Sequence, residues 1–397
     1  MKNRPIKKVT VGLPVYNGGA SIERAIQCWL GQDFTDFELI VSDNGSTDQT
    51  FGICEKYCRQ DDRIQYYRFP QNMGMARSFE RLVNMACGDY FVFAFHNDIF
   101  APTYLSSCID VLDNDPSVVL CYTGTGIIDS DDNYLYDATD QFLLDQESLI
   151  DRYKQLLANL GLCNCFHGLI RKNILLQTIP FDICAAGDVT LLAKLILKGK
   201  FFQIPEELCK RSEPTHQHCK SLNERWSHIE RWSFPHRPHR DFCSTPFFDI
   251  ITAMERFICE TDFADEDKEE LLRSTYDIVT TRYKKYILWE IGHLLTSIHN
   301  GNLRYIWKDE SFSKKTSPKH LNISRAYLIQ RYIEVDRLIN YFKEMPDLYY
   351  VAGVLLYRLN RYEEAKNKIE IAIHKKRDHM QALQLLNRIE QSLLQRN

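Results

Sequence analysis

Short apolar segments alternate with amphipathic segments along the first 125 residues of the chain. The apolar segments are rich in β-branched and aromatic residues, and they predict strands at about 9–13, 37–42, 64–69, 90–95 and 117–124. Apolar residues at helical spacing predict the helices between them, near 20–31, 48–59, 75–86 and 102–113. This alternation favours an α/β domain with a mostly parallel, Rossmann-like sheet and right-handed crossovers.

Beyond Pro246 the pattern becomes wholly helical, and the Lys- and Ser-rich segment 309–320 predicts a loop or linker. Seven residues of the tail fall on the positions of a tetratricopeptide (TPR) unit: Tyr349, Ala352, Gly353, Tyr362, Ala365, Ile369 and Ala372. Leu383 and Leu386 follow Tyr349 and Ala352 by about 34 residues, the period of that repeat. We therefore interpret the tail as an all-α region with a TPR-like hairpin that docks a protein partner or forms a homodimer. Plain helical packing is the alternative.

A chain of 397 residues is too long for one ordinary hydrophobic core and predicts two or three domains. The pattern divides the chain into an α/β domain at 1–220, a helical middle region with a linker at 221–320, and the TPR-like region at 321–397. Each part carries its own hydrophobic periodicity.

The composition, with 44% hydrophobic and 26% charged residues, is that of a soluble globular protein. A formal net charge of -4 argues against nucleic-acid binding, which needs a clustered basic surplus. The sequence has no apolar run long enough for a transmembrane segment, and its start lacks the apolar core of a signal peptide. We expect a cytoplasmic protein, with peripheral contact at the inner face of the membrane as an alternative. The odd number of cysteines, thirteen, favours reduced and mostly buried thiols.

Polar residues follow three of the predicted strands at their carboxyl ends. The segments are PVYN at 14–17, DNGS at 43–46 and Asn97-Asp98. Any one of them is explained as a turn, because these residues are common in turns. Together they indicate a ligand site, because ligands of such sheets bind beyond the carboxyl ends of the strands.

The order and spacing of VTVGLPVYNGG, FELIVSDNGSTDQT, QNMGMARSF and GDYFVFAFHND resemble the donor-binding half of family 2 glycosyltransferases, inverting enzymes of the GT-A fold. The similarity continues through CFHGLIRKNIL and the segment 181–211, and it covers roughly the first 220 residues. It implies transfer of a sugar from a nucleotide-sugar donor, with a UDP-sugar favoured, to a hydroxyl of a glycan, lipid-linked or protein acceptor, with inversion.

The resemblance also implies roles for the strand-end residues. Asp43, with Asn44 beside it, would bind the nucleoside, because a carboxylate accepts hydrogen bonds from a base or ribose. Pro14 and Tyr16 would form the wall for the base, and Asn17 would fix the turn. Four further residues complete the implied donor site: Arg77, Asn97, Arg211 and His216. For Arg77, a solvated charge on a helix is the alternative.

The acidic turn of the family holds Mg or Mn, which favour oxygen ligands. In this sequence Phe95 stands at the first acidic position and Asn97 at the next, and Asp98 is retained. The resemblance implies a divalent metal on Asp98 with Asn97 and His96, although the turn has lost carboxylates. His216-x-His218-Cys219 is a weaker zinc hypothesis, since it lacks a second ligand pair.

Asp188 is the predicted general base. It opens an amphipathic helix at the family position usually occupied by Glu-Asp, where Gly187 replaces the first acid. Capping of the helix is the alternative role.

Two other functions compete with transfer. One is a catalytically weak nucleotide-sugar-binding or scaffold protein that recruits partners through its helical tail. The other is a nucleotidyltransferase, which would need a basic Gly-rich phosphate loop, and PVYNGG carries no lysine or arginine.

Overall fold

The computed structural model describes residues 7–138, 144–161, 163–181, 186–213, 246–283, 286–287, 332–333, 335–336, 339, 343 and 346–394. The chain divides into two compact units. The first comprises Met1–Arg237 and Asp249–Val279, and the second comprises Pro238–Phe248 and Thr280–Asn397. The predicted limits at 220 and 320 stay predictions, and the two units divide the predicted middle region between them.

The first unit begins with alternating strands and helices, as predicted. The elements are β1 (Val9–Val15), α1 (Ile22–Leu30), β2 (Phe37–Asp43), α2 (Thr50–Cys58), β3 (Ile64–Arg68), α3 (Met75–Met85), β4 (Tyr90–Phe93), β5 (Ile99–Phe100) and α4 (Tyr104–Asn114). Every residue of β1 and β2 is buried, which is why apolar residues predominate in both strands.

Longer strands and short helices complete this unit. They are β6 (Val118–Ile128), β7 (Tyr134–Asp137), α5 (Leu149–Asn159), a 3-10 turn (Asn164–His167), β8 (Leu169–Arg171), α6 (Lys172–Leu175), α7 (Gly187–Ile196) and β9 (Lys200–Ser212). Two helices follow, α8 (Pro246–Cys259) and α9 (Asp265–Arg282).

Within the described residues the strands form one nine-stranded sheet in the order β3-β2-β1-β4-β8-β6-β9-β5, with β7 paired to β6. Strands β3, β2, β1 and β4 are parallel, so their carboxyl ends meet at one edge of the sheet. Strand β8 runs antiparallel to β4 and β6, whereas β9 is parallel to β6. The domain is therefore α/β as predicted. The polar motifs follow strands of its parallel part, β1, β2 and β4.

Aromatic side chains fill the core on both faces of the sheet. On one face Trp29 packs against Phe100 and Tyr104, with ring centroids 4.4 and 6.1 Å apart. A second cluster joins Phe79, Phe93, Phe95, Phe166 and Phe181. Burying side chains of this size contributes roughly 1.5–3 kcal/mol each, so the clusters anchor the helices on the sheet.

One strand ends earlier than predicted, and another contains a proline. Strand β4 stops at Phe93 rather than 95, which leaves His96 and its neighbours in a turn. Strand β9 continues through Pro205. Its pairing with β6 shifts register beside Gly124, and a Cβ at Gly124 would lie 2.8 Å from the Pro205 carbonyl oxygen. A proline is tolerated within a strand at such an irregularity.

Three helices of the second unit are described over their whole length: α10 (Pro346–Arg358), α11 (Tyr362–Lys375) and α12 (Met380–Leu394). Helices α10 and α11 approach closely, because a Cβ at Gly353 would lie 2.5 Å from Ile369 Cδ1. Ala352, Ala365 and Ala372 are fully buried. The TPR assignment and the docking role of this region stay predictions, and the predicted linker at 309–320 lies outside the described residues. No helix in the described part of the chain is long and apolar enough to cross a membrane.

Candidate active site

The loops after β1 and β2 are hydrogen-bonded to each other at the carboxyl edge of the sheet. The main-chain N–H of Asn17 donates to Ser46 Oγ at 2.9 Å, and Asn17 Oδ1 accepts from the N–H of Thr47 at 2.8 Å. Asn17 has a φ of 51°, a left-handed conformation that asparagine tolerates better than most residues. Asn17 therefore joins the two loops into one rigid edge.

Asp43 lies inside this edge and is fully buried. Its Oδ1 accepts from the N–H of Ser46 at 2.8 Å and from Ser46 Oγ at 2.6 Å. Its Oδ2 accepts from the Tyr66 hydroxyl and lies 3.6 Å from Arg68 Nε. Burial and the hydrogen bond to this carboxylate raise the pKa of Tyr66. The Asp43 carboxylate thus supports the loop, and its predicted contact with the nucleoside stays a prediction.

Arg68 is a cation at this edge that sequence reasoning missed. It ends β3, its side chain is 44% exposed, and its Nη2 donates to the Ser46 carbonyl at 2.5 Å. No turn motif marks Arg68. The signal that would have found it is its position as the last residue of β3, which pairs in register with Asp43 at the end of β2.

Asn44 also supports the loops rather than facing outward. It is 5% exposed, and its Nδ2 donates to Asn72 Oδ1 at 2.8 Å while its Oδ1 accepts from the Met73 N–H at 2.8 Å. These bonds hold the turn that leads into α3. Arg77, on the first turn of α3, is 45% exposed and lies 3.6 Å from Glu80. Arg77 therefore lies at the start of α3, close to the loops of the predicted donor site, with its charge at the surface.

The two residues predicted as a wall for the base differ in exposure. Pro14 is buried within β1, where it pairs in register with Ser42. Tyr16 follows the strand and is 43% exposed. Tyr16 is therefore the member of the pair whose ring faces solvent at the strand ends.

The turn after β4 is tied to the rest of the domain by hydrogen bonds. His96 Nδ1 lies 2.7 Å from Ser21 Oγ, so the side chain of Ser21, which precedes α1, bonds to this histidine and not to the start of the helix. The Asn97 carbonyl accepts from Arg24 Nη2 at 3.0 Å and from Ser212 Oγ at 2.7 Å. Burial lowers the pKa of His96.

Asp98 is buried beneath this turn, with 4% of its surface exposed. Its Oδ1 accepts from the Ser212 N–H at 3.2 Å, and its Oδ2 lies 3.2 Å from Nδ1 of the buried His167. Burial raises the pKa of Asp98 to about 6, against the opposing charges of Arg211 and Arg24. Burial also lowers the pKa of His167 well below its usual value, which favours the neutral ring.

The predicted metal site on Asp98, Asn97 and His96 does not fit this arrangement. The Asp98 carboxylate is 4% exposed and accepts from the Ser212 N–H, and His96 Nδ1 is engaged by Ser21. The described residues contain no group of three His, Cys, Asp or Glu side chains that could hold a metal ion. Phe95, at the first acidic position of the family, packs against Phe166.

Asp188 lies in the first turn of α7 and is partly buried. Its Oδ1 accepts from the N–H of Val189 at 2.9 Å, and the Cys163 thiol donates to the carboxylate. Burial raises the pKa of Asp188, while these hydrogen bonds and the charge of Arg211 oppose the rise. The Asp188 carboxylate therefore has the raised pKa of a general base, and it also bonds to a main-chain N–H at the start of α7.

Arg211, near the end of β9, connects these groups. Its Nη1 donates to Asn164 Oδ1 at 2.6 Å. Burial is the main cause of the raised pKa of both Asp98 and Asp188, and the Arg211 charge opposes it in both. The structure thus brings together Asp98, Asp188 and Arg211 from three separate elements. His216 lies outside the described residues.

The turn at 163–167 lies among these residues, and the sequence indicated it only as part of the family resemblance. Cys163 contacts Asp188, Asn164 contacts Arg211, and His167 lies beside Asp98. Cys163 has a φ of 55°, which is uncommon for a residue other than glycine. Nothing in the sequence CNCFHG indicates this conformation.

Residues 10–175, which supply these strand ends and the turn, match the family model described as Glycosyl transferase family 2. This chain contains a glycosyltransferase family 2 domain. An uncharacterized glycosyltransferase of Rickettsia typhi is 29% identical to it over 185 residues, covering 46% of this chain and 54% of that protein. Chondroitin synthase of Escherichia coli is 26% identical over 141 residues, covering 36% of this chain and 20% of that protein. The match to the Rickettsia protein thus spans about half of that relative's length.

Solved structures support the GT-A fold of the glycosyltransferase domain. The crystal structure of Staphylococcus aureus TarS 1-349 in complex with UDP-GlcNAc aligns with a TM-score of 0.52 and 15% sequence identity. The alignment covers 98% of this chain and 92% of that one. At this identity the likeness concerns the fold.

Proposed function

We propose that the protein is a glycosyltransferase that moves a sugar from a nucleotide-sugar donor to a hydroxyl of a glycan, lipid-linked or protein acceptor, with inversion. One observation carries this proposal. Asp188, a partly buried carboxyl with a raised pKa, accepts from the Cys163 thiol and lies within the field of the Arg211 guanidinium. A base and a cation in one site are what inverting transfer requires.

Asp188 acts as the general base. The acceptor oxygen forms a bond to the anomeric carbon while the bond between that carbon and the diphosphate oxygen breaks, and the hydroxyl proton moves to the Asp188 carboxylate. The bond from the Val189 N–H holds Oδ1 at 2.9 Å and so orients the carboxylate. The raised pKa makes the carboxylate a stronger base than an exposed aspartate.

Arg211 supplies the charge that the leaving diphosphate needs. Negative charge grows on the diphosphate as the glycosyl bond breaks, and a fixed guanidinium stabilises it. The potential ligand atoms of Asp98 and His96 in the turn after β4 already have partners in the protein, which does not favour a metal there. No step of the reaction is therefore assigned to a metal. Asp98, with its bonds to Ser212 and its place beside His167, supports the turn from below.

The nucleoside is proposed to lie against Tyr16, with Arg68 and Arg77 on its polar side. These three side chains are the partly exposed groups at the β1, β3 and α3 positions of the edge. A UDP-sugar is the favoured donor, because the structurally similar TarS was crystallised with UDP-GlcNAc. The helices of the second unit are proposed to dock a protein partner or a second copy of the chain.

The test begins with thermal shifts for a panel of nucleoside diphosphates, followed by hydrolysis and transfer assays with the matching sugar nucleotides. Asp188→Asn should lower turnover by about 100-fold or more and change the Kd for UDP by less than about threefold. Asp151→Asn is the matched control, because Asp151 lies in the first turn of α5 and is exposed.

Three results would count against the proposal in different ways. Normal turnover by Asp188→Asn would remove this residue as the base. Binding of a nucleoside diphosphate without turnover of any sugar nucleotide would favour the scaffold alternative. Binding of none of them would refute the donor assignment altogether.

A further inference from the structure

The buried segment 163–167 contacts all three charged groups of the proposed site. Cys163 donates to Asp188, Asn164 accepts from Arg211, and His167 lies 3.2 Å from Asp98. Every residue of the segment is at most 7% exposed. A segment that carries neither the base nor the cation thus contacts the side chains that do.

The segment is rigid because its backbone is closed on itself and its rings are packed. The N–H of Phe166 donates to the Cys163 carbonyl at 2.9 Å, and the N–H of Gly168 donates to the Cys165 carbonyl at 3.0 Å. The Phe166 ring is stacked on Phe93, with centroids 4.9 Å apart and planes 21° apart. The left-handed Cys163 backbone persists only because such packing holds it.

Asn164 places a neutral acceptor against Arg211. Its Oδ1 accepts from Arg211 Nη1 at 2.6 Å, and its side chain is 2% exposed, so the guanidinium is held by a fixed partner. An amide oxygen fixes the direction of a guanidinium without cancelling its charge, whereas a carboxylate at the same place would cancel it. The choice of an amide matters if the guanidinium must attract an anion.

We propose that Asn164 is a positioning residue that holds Arg211 toward the diphosphate of the donor. This inference rests on the proposed function, since it needs a nucleoside diphosphate in the site. It assigns a role to a residue that no sequence motif marks, and it explains why the strained turn lies beside the cation.

The test measures the Kd for UDP and for uridine by calorimetry on the full-length chain. Asn164→Ala should weaken UDP binding about tenfold, the usual scale for a hydrogen bond to a charged group, and leave uridine binding within about twofold. Arg211→Ala should weaken UDP binding at least as much. The double variant should bind UDP like Arg211→Ala alone, because Asn164 acts through Arg211.

Asn159→Ala is the matched control: the Asn159 amide is exposed on α5 and donates to the Gln155 carbonyl of its own helix. It should bind UDP like the wild type. Asn164→Asp keeps the size and the acceptor oxygen of the amide, so it tests the inference even if Asn164→Ala does not fold. It should weaken UDP binding while leaving uridine binding unchanged, because its carboxylate cancels the guanidinium charge.

Three outcomes would overturn the inference. Both Asn164 variants could bind UDP like the wild type, they could lose UDP and uridine affinity equally, or the Asn164→Ala effect could persist in full without Arg211. A wild-type protein that binds no nucleoside diphosphate would refute the proposed function, and this inference with it.

Discussion

Replacing Glu38 with alanine should destabilise the glycosyltransferase domain strongly without touching its site. Glu38, on β2, is 4% exposed, and its carboxylate accepts three hydrogen bonds. Thr10 Oγ1 donates at 2.7 Å, the Cys87 N–H at 2.7 Å and Gln65 Nε2 at 2.8 Å. These donors belong to β1, to the loop before β4 and to β3, so one carboxylate on β2 joins three strands and a loop.

Glu38→Ala leaves these donors inside the protein without their acceptor. A buried donor that loses its partner costs about 1–3 kcal/mol, and the three costs overlap because the groups are neighbours. We expect a loss of about 3–5 kcal/mol in the free energy of unfolding of the first unit. Glu38→Gln should lose only about 1 kcal/mol, because its carbonyl oxygen still accepts from Thr10 and Cys87.

Urea unfolding is the assay, with Glu55→Ala as the control because the Glu55 side chain, on α2, is 46% exposed. The control should change the free energy of unfolding by no more than about 0.5 kcal/mol. Below the unfolding transition, the folded Glu38 variants should keep the wild-type Kd for UDP. A loss under about 1 kcal/mol for Glu38→Ala would refute the reasoning, since it would mean that these donors find other partners at no cost.

Three further predictions concern the base, the metal and the second unit. Because burial raises the pKa of Asp188 and a base must be deprotonated, kcat/KM should fall as the pH drops through a value above the usual aspartate range. Arg211→Ala removes a charge that lowers this pKa, so it should shift the fall in kcat/KM to higher pH. The Kd for UDP in EDTA should stay within about twofold of its value with Mn, whereas a tenfold loss in EDTA would restore the predicted metal site. Gly353→Val should lower the stability of the second unit by about 1–3 kcal/mol in thermal unfolding, because its side chain would collide with Ile369; Gly52→Val, at an open position of α2, controls for the change in helix propensity.

The strands and helices of the first unit could be predicted because their periodicity reports burial directly. Strand β2 has the apolar segment Leu39-Ile40-Val41 at its centre and is followed by a turn, and all seven of its residues are buried. The extension of β9 through Pro205 could not be predicted in the same way. It depends on a register shift beside Gly124, about eighty residues earlier in the chain, and no local pattern reports such a pairing.

The place of the site could be predicted, but the exposure of its side chains could not. Parallel strands bring their carboxyl ends to one edge, so PVYN, DNGS and the turn after β4 had to meet. Whether Asp43 faces a ligand depends on Tyr66 and Arg68, which cover its carboxylate from the next strand. The same holds for Asp98, which β9 covers through Ser212.

This burial shifts the electrostatic centre of the proposed site from the turn after β4 to β9. A carboxylate that binds a metal must present oxygens to it, and Asp98 directs its oxygens to Ser212 and His167. The leaving diphosphate still needs positive charge, and among the residues that sequence reasoning chose, Arg211 is the one whose field extends to both Asp98 and Asp188. If this cation takes over the role of the metal, Arg211→Lys should restore only part of the UDP affinity lost in Arg211→Ala, because an ammonium lacks the fork that meets both Asn164 and a phosphate. Full restoration by lysine would instead show that charge alone suffices and that the geometry set by Asn164 is not needed.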